Sequence, residues 1–243
     1  MIDLDPEDED EDPEPEETEF APLYDFTEPY PVLTGTQLLR PTIDRFLWIW
    51  SGEVDNPGLL RAVHPLAVTD PEIDEVEITA DWLKQREVLD IKVARDGTRI
   101  AVLSELEGEL ILEVAVVVRT GNGIPVRLAE PLRVGAQLTD AVSVVWLDEL
   151  TLGTLGDTKI GDIVTSPTIT VVPLAGGLRK ITTNFEGANW LTTARGEERM
   201  VIGVPDQVKG DDDAPDTSSI YSRSGSGWNL ISSRAVRFPT YPG

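Results

Sequence analysis

Residues 93–103 read Val93-Ala94-Arg95-Asp96-Gly97-Thr98-Arg99-Ile100-Ala101-Val102-Leu103. An apolar run enters a polar turn headed by Asp-Gly, and a second run of β-branched and small apolar residues leaves it. Asp suits such a turn because its carboxylate accepts a hydrogen bond from the backbone two residues on, and Gly because it tolerates positive φ. The stretch predicts a β-hairpin. The same order of strand, polar turn and apolar strand returns in Pro41–Trp50, Val145–Leu152 and Thr193–Ile202. The turn positions are Asp44, Asp96, Asp148 and Gly196, spaced 52, 52 and 48 residues apart. A period near fifty residues, with room for about four strands, is that of propeller blades rather than of a sandwich. The turn would join the inner two strands of each blade. The fold expected is therefore all-β, a β-propeller of about four recognisable four-stranded blades.

Working outward, Leu47–Trp50, Arg99–Leu103, Leu110–Val118, Ala141–Trp146, Thr168–Val172 and Met200–Val204 are further strand candidates. They are short and rich in β-branched or aromatic residues, with turns at Gly121-Asn122-Gly123, Gly176-Gly177 and Gly225-Ser226-Gly227. Leu110–Val118 with Val126–Val134 would form an outer hairpin. The best helical window is Ile73–Leu89, which Ile78 and Thr79 weaken. A polar break from Val208 to Ser219 reads as a surface loop between two strands. The tail Ala235–Gly243 is similar to the first strand of another unit, of the kind that in many propellers completes the first blade and closes the ring. Residues 1–19 hold twelve acidic side chains and no basic one. Like-charge repulsion at that density, with almost nothing apolar to offset ordering entropy, predicts disorder. Residues 1–32 are thus expected to be an acidic, Pro-rich tail and lead-in, and residues 33–243 the blades.

Composition excludes several function classes. The chain of 243 residues carries a formal net charge of −24 and a pI near 4.2. Such a surface repels phosphate backbones and anionic lipid heads, so neither nucleic acid nor a membrane surface is an expected partner. Cys is absent, and His64 is the single histidine. Disulfides, thiolate metal sites, a cysteine nucleophile and an all-His zinc site are thereby excluded. No apolar run approaches the roughly 20 residues of a membrane-spanning helix.

Few residues invite a chemical role. His64 precedes Pro65 in a turn and reads as structural rather than as a general base. Asp148 and Glu149 could in principle serve glycoside hydrolysis, but Asp148 stands at the repeat turn, where its local backbone hydrogen bond is the simpler use. The Asp211-Asp212-Asp213 cluster with Asp216 lacks the alternating ligands of a Ca²⁺ loop and reads as a solvated loop, weak cation binding being the lesser alternative. Gly121-Asn122-Gly123 opens no helix and reads as a hairpin turn, not a dinucleotide site. Trp48 and Trp50 share one strand face, where they either pack between blades or form an exposed ligand platform. No catalytic, cofactor-binding or metal residue is therefore assigned, and no cofactor is expected.

The stretches RPTIDRFLWIWSG (40–52), VARDGTRIAVLSE (93–105), VVVRTGNGIPVRLAEPLRVG (116–135), VVWLDELTLGTLG (144–156), IYSRSGSGW (220–228) and the ending FPTYPG (238–243) occur in that order. Together they resemble the C-terminal β-propeller of the LpqB family, actinobacterial lipoproteins associated with a two-component sensor kinase. The resemblance implies a non-catalytic interaction domain of a cell-envelope accessory lipoprotein that modulates a sensor histidine kinase. The partner implied is the sensor's extracytoplasmic domain, and the place implied is the extracytoplasmic face of the plasma membrane, reached through a lipid anchor. Family members open with a signal peptide, a lipidated Cys and a small GerMN-type α/β domain. Here an acidic tail stands in that place, which implies the C-terminal part of such a protein or a divergent short relative. The alternative from another class is a carbohydrate-active or carbohydrate-binding propeller acting on cell-wall polymers through an Asp/Glu pair in its central funnel. A third reading is a structural carbohydrate- or peptide-binding module that uses Trp48 and Trp50.

Overall fold

Each repeat turn joins the first two strands of an antiparallel sheet, and four such sheets are arranged as the blades of a four-bladed β-propeller. A computed structural model describes residues 37–41, 43, 46–53, 56–64, 75–135, 138, 140–156, 159–160, 163–164, 166–193, 200–205 and 217–236. The expectations for residues 1–32, for Asp211–Asp213 and Asp216, and for residues 237–243 lie outside the described residues.

The first sheet runs β1 (Gln37–Pro41), β2 (Leu47–Glu53), β3 (Asn56–Val63), β4 (Glu75–Ile78). The second runs β5 (Glu87–Val93), β6 (Arg99–Leu106), β7 (Glu109–Arg119), β8 (Pro125–Leu128), with β9 (Leu132–Val134) also on β7. The third joins β10 (Ser143–Trp146), β11 (Thr151–Leu155), β14 (Thr168–Pro173) and β15 (Arg179–Thr182). Between β11 and β14 comes the small hairpin of β12 (Lys159–Ile160) and β13 (Ile163–Val164). The fourth sheet is β16 (Trp190–Thr193), β17 (Met200–Pro205), β18 (Thr217–Ser224) and β19 (Gly227–Val236). The first strands neighbour one another in turn, β1 beside β5, β5 beside β10 and β10 beside β16, so they form the hub.

The core lies between sheets. Trp48, Trp50, Leu60 and Ile78 of the first sheet meet Ile91, Val93, Ile100 and Val102 of the second. On its other face the second sheet sends Ala101, Leu103 and Leu112 against Val144, Trp146 and Leu152 of the third. Val145, Leu147, Leu155 and Ile169 then meet Leu191, Met200 and Ile202 of the fourth. This is the strand period of two at work: neighbouring residues such as Val144 and Val145 serve opposite joints.

Four expectations are corrected. Ile73–Leu89 is not a helix: β4 and β5 occupy its ends, and only Asp81–Gln85 coils, as one 3-10 turn. Val76, Leu83 and Val88 all pack in the first joint, so the apolar spacing that mimics a helix serves a strand–turn–strand link. Ala235 and Val236 end β19, the outermost strand of the fourth sheet, rather than opening a new unit. Thr217–Ser219 belong to β18, which shortens the polar break. The Val126–Val134 strand is two strands, because β8 and β9 meet different parts of β7 on either side of Pro131.

Candidate functional site

The turns show why Asp recurs. Thr98 N–H donates to Asp96 Oδ1 at 3.0 Å and Leu150 N–H to Asp148 Oδ1 at 2.8 Å, the same i to i+2 bond one repeat apart. Gly97 follows with φ of 71°, which a side chain would oppose. Burial alone would raise the Asp96 carboxyl; bonds from the Thr98 N–H and hydroxyl, with the Arg99 charge and hydrogen bond, outweigh it and hold the group below its ordinary value. Glu109, exposed, is likewise lowered, first by its hydrogen bond from Arg133 and then by the Arg133 charge. Both shifts favour the anion, the opposite of what a general acid needs. Asp148 and Glu149 are exposed, with Asp148 capping its own turn.

The other sequence candidates fall into structural places. The His64 ring stands edge-on to Phe46, with centroids 5.3 Å apart and planes at 81°. Gly121-Asn122-Gly123 is the β7–β8 turn: Gly123 N–H donates to Thr120 O at 2.9 Å, and Arg119 Nη1 donates to Gly123 O at 2.7 Å. Trp48 is fully buried and Trp50 nearly so, both in the joint of the first two sheets, which overturns the exposed-platform reading. Gly58 leaves room for Trp50, because a Cβ there would fall on its indole. Among the described residues no group of three or more His, Asp or Glu side chains is placed to hold a metal ion. No helix among them is long and apolar enough to cross a membrane.

Charged groups overlooked in the sequence brace the blades and the joints between them. Asp90 is 9% exposed. Its Oδ1 accepts from Ile91 N–H at 2.9 Å and from the Lys92 ammonium, and its Oδ2 accepts from Val144 N–H at 2.8 Å, across to the third sheet. Trp146 Nε1 returns a bond to Lys92 O at 3.0 Å, and Arg99 stacks on the Trp146 ring at 5.5 Å. Arg86 grips Glu113 with two 3.0 Å bonds in a nearly buried pair. Arg119 also donates to Gly97 O at 2.7 Å and lies 5.5 Å from the Phe46 ring of the first sheet. These side chains hold a scaffold. The described surface open to a partner includes exposed Ile43 and Leu150, placed in the first and third repeat turns and so at one end of the sheets.

With the fold and these groups in place, the family follows. The model of the Lipoprotein LpqB beta-propeller domain matches residues 24–242. The chain belongs to this family. Membership of the LpqB propellers makes it a lipoprotein-family domain of the cell envelope. The chain matches no curated protein. Solved structures similar to it include Kuenenia stuttgartiensis hydrazine synthase, at 16% identity and a TM-score of 0.42, covering 80% of this chain and 52% of that one. A Mycobacterium tuberculosis puromycin-hydrolyzing peptidase is similar at 15% identity and a TM-score of 0.45, covering 86% of this chain and 39% of the peptidase. The chain thus spans about half or less of these larger proteins.

Proposed function

We propose that this LpqB-type propeller is a non-catalytic interaction domain of an accessory lipoprotein that modulates a two-component sensor histidine kinase. It acts on the extracytoplasmic face of the membrane, on the sensor's extracytoplasmic domain, and the membrane is reached only through a lipid anchor. Membership of the LpqB propeller family is the observation that carries this reading. The chemistry of the described side chains agrees with it. Asp90, Glu113, Asp96 and Asp148 spend their acceptor capacity on the scaffold. Rigid sheets that present turns and loops supply a binding face without a reaction centre. A net charge of −24 steers association towards a basic patch on the sensor.

Binding of the purified extracytoplasmic sensor domain, measured by titration calorimetry at two salt concentrations, tests the proposal. Saturable binding that weakens as salt rises is expected, because an interface steered by opposite charge is screened. A folded chain that leaves the sensor domain unbound at both salt concentrations would overturn it.

A further inference from the structure

The outermost strand of the fourth sheet differs from its counterparts. β4 and β15 have 4 residues each, and β8 and β9 have 4 and 3, whereas β19 has 10. Short edge strands and edge charges are the usual protection of a sheet rim against pairing with another chain. Among the described residues β19 has β18 as its one strand partner, and its far side is a free backbone edge. Leu230 and Ile231 stand on it 55% and 60% exposed. The strand is nevertheless anchored: Trp228 and Tyr221 pack on the third core cluster, where Phe185 lies 4.1 Å from Tyr221 and edge-on to Trp228.

Charge selects the occupant. All 44 acidic residues of the chain precede Thr217, and residues 217–236 carry only Arg223 and Arg234. Among the described residues the longest outer edge strand thus belongs to a hairpin that carries no acidic residue and whose charged groups are both arginines. We propose that β19 is a docking edge for an extended acidic segment of a protein partner, which adds to the fourth sheet as a further strand. The regular ladder limits where it sits. Gly227, Trp228, Asn229 and Leu230 pair in register with Ser224, Arg223, Ser222 and Tyr221, and the next pair is Ser232 with Ile220, so Ile231 bulges. The added strand lies beside Gly227–Leu230, sets apolar side chains against Leu230 and Ile231, and brings carboxylates near Arg223. Arg223 is on the adjacent strand, about 5 Å in from the edge, which an arginine side chain spans. Main-chain bonds supply the pairing and the charge supplies the choice of partner.

The probe is a fluorescein-labelled octapeptide, Glu-Glu-Val-Val-Glu-Glu-Val-Val, which carries both residue types on the strand face shared by Arg223 and Leu230, titrated with the full chain and followed by anisotropy. Controls are the Lys/Val octapeptide and an octaglutamate. The Glu/Val peptide is expected to bind at least about tenfold more tightly than either control. Leu230→Asp and Arg223→Glu should each weaken it with the unfolding transition unchanged, and the amides of Gly227–Leu230 should exchange more slowly in its presence. Equal binding of the Lys/Val peptide would reduce the edge to an apolar contact and overturn the proposal. Equal binding of octaglutamate would show charge without strand addition and also overturn it. No binding, dimerisation of the chain abolished by Leu230→Asp, or uptake onto anionic vesicles with no peptide bound would each overturn it in favour of no partner, a second copy, or a lipid surface.

Discussion

The second sheet is held differently on its two sides. Towards the first sheet the polar bonds are at the rim and the turns: Thr79 N–H donates to Val126 O at 3.1 Å, Leu128 N–H to Thr79 O at 2.9 Å, and Ile43 N–H to Arg95 O at 2.9 Å. Towards the third sheet they are at the hub, where Asp90 takes the Val144 N–H and Trp146 donates to Lys92 O. The rim bonds use backbone alone, so almost any residue but proline at position 79 can make them. The hub bonds use the Asp90 carboxylate and the Trp146 indole, so that joint is specified by side chains. Side-chain substitutions should therefore break the hub joint selectively, whereas the rim joint should yield only to changes of backbone or of buried volume.

The largest effect expected is at the rim-bonded joint through its core. Trp48→Ala removes a fully buried indole and should cost about 3–5 kcal/mol in urea unfolding. A loss below about 1 kcal/mol would mean that the apolar cluster does not hold these two sheets together. Asp90→Ala comes next: it strands Lys92 and the Val144 N–H and should cost about 3 kcal/mol. Faster amide exchange at Val144 with Leu128 unchanged would locate that loss at the hub, and equal acceleration at both would deny the contrast between the joints. Thr79→Pro deletes the donor to Val126 and should cost about 1–3 kcal/mol, with faster exchange at Leu128 and none added at Val144.

The smallest effect is in acid. Asp96 and Glu109 are held below their ordinary values of 3.8 and 4.5. The unfolded chain therefore takes up their protons first, and the stability they contribute is complete above those values and lost as pH falls through the lowered ones. Asp96→Asn should flatten the decline of Tm below about pH 4, and an unchanged slope would remove Asp96 from the acid response.

What the sequence made legible was local. The bonds from Thr98 N–H to Asp96 and from Leu150 N–H to Asp148 close over two residues, so composition and spacing alone exposed the turns and the period. The shared face of Trp48 and Trp50 was readable from alternation, but what covers it was not, because Ile91, Val93, Ile100 and Val102 come from the next repeat. Ile73–Leu89 misled for a related reason. Its apolar spacing fits a helix face, yet the neighbours that fix it are strands on two sheets. The Asp90 bond to Val144 and the Trp146 bond to Lys92 each span 54 residues, close to one repeat. Pairing polar residues one period apart would have been the signal to find them.

The contact at Thr79 has a consequence for how the chain is made. Thr79 pairs with Arg127 in parallel fashion, whereas the ladders within each sheet are antiparallel. A ribosome delivers β4 well before β8, so the rim of the first blade stays open until Leu128 has followed it out of the exit tunnel. A nascent first blade thus has an unsealed edge for the time it takes to translate nearly one further repeat, and a pause in that interval would leave it available to chaperones or to strands of other chains.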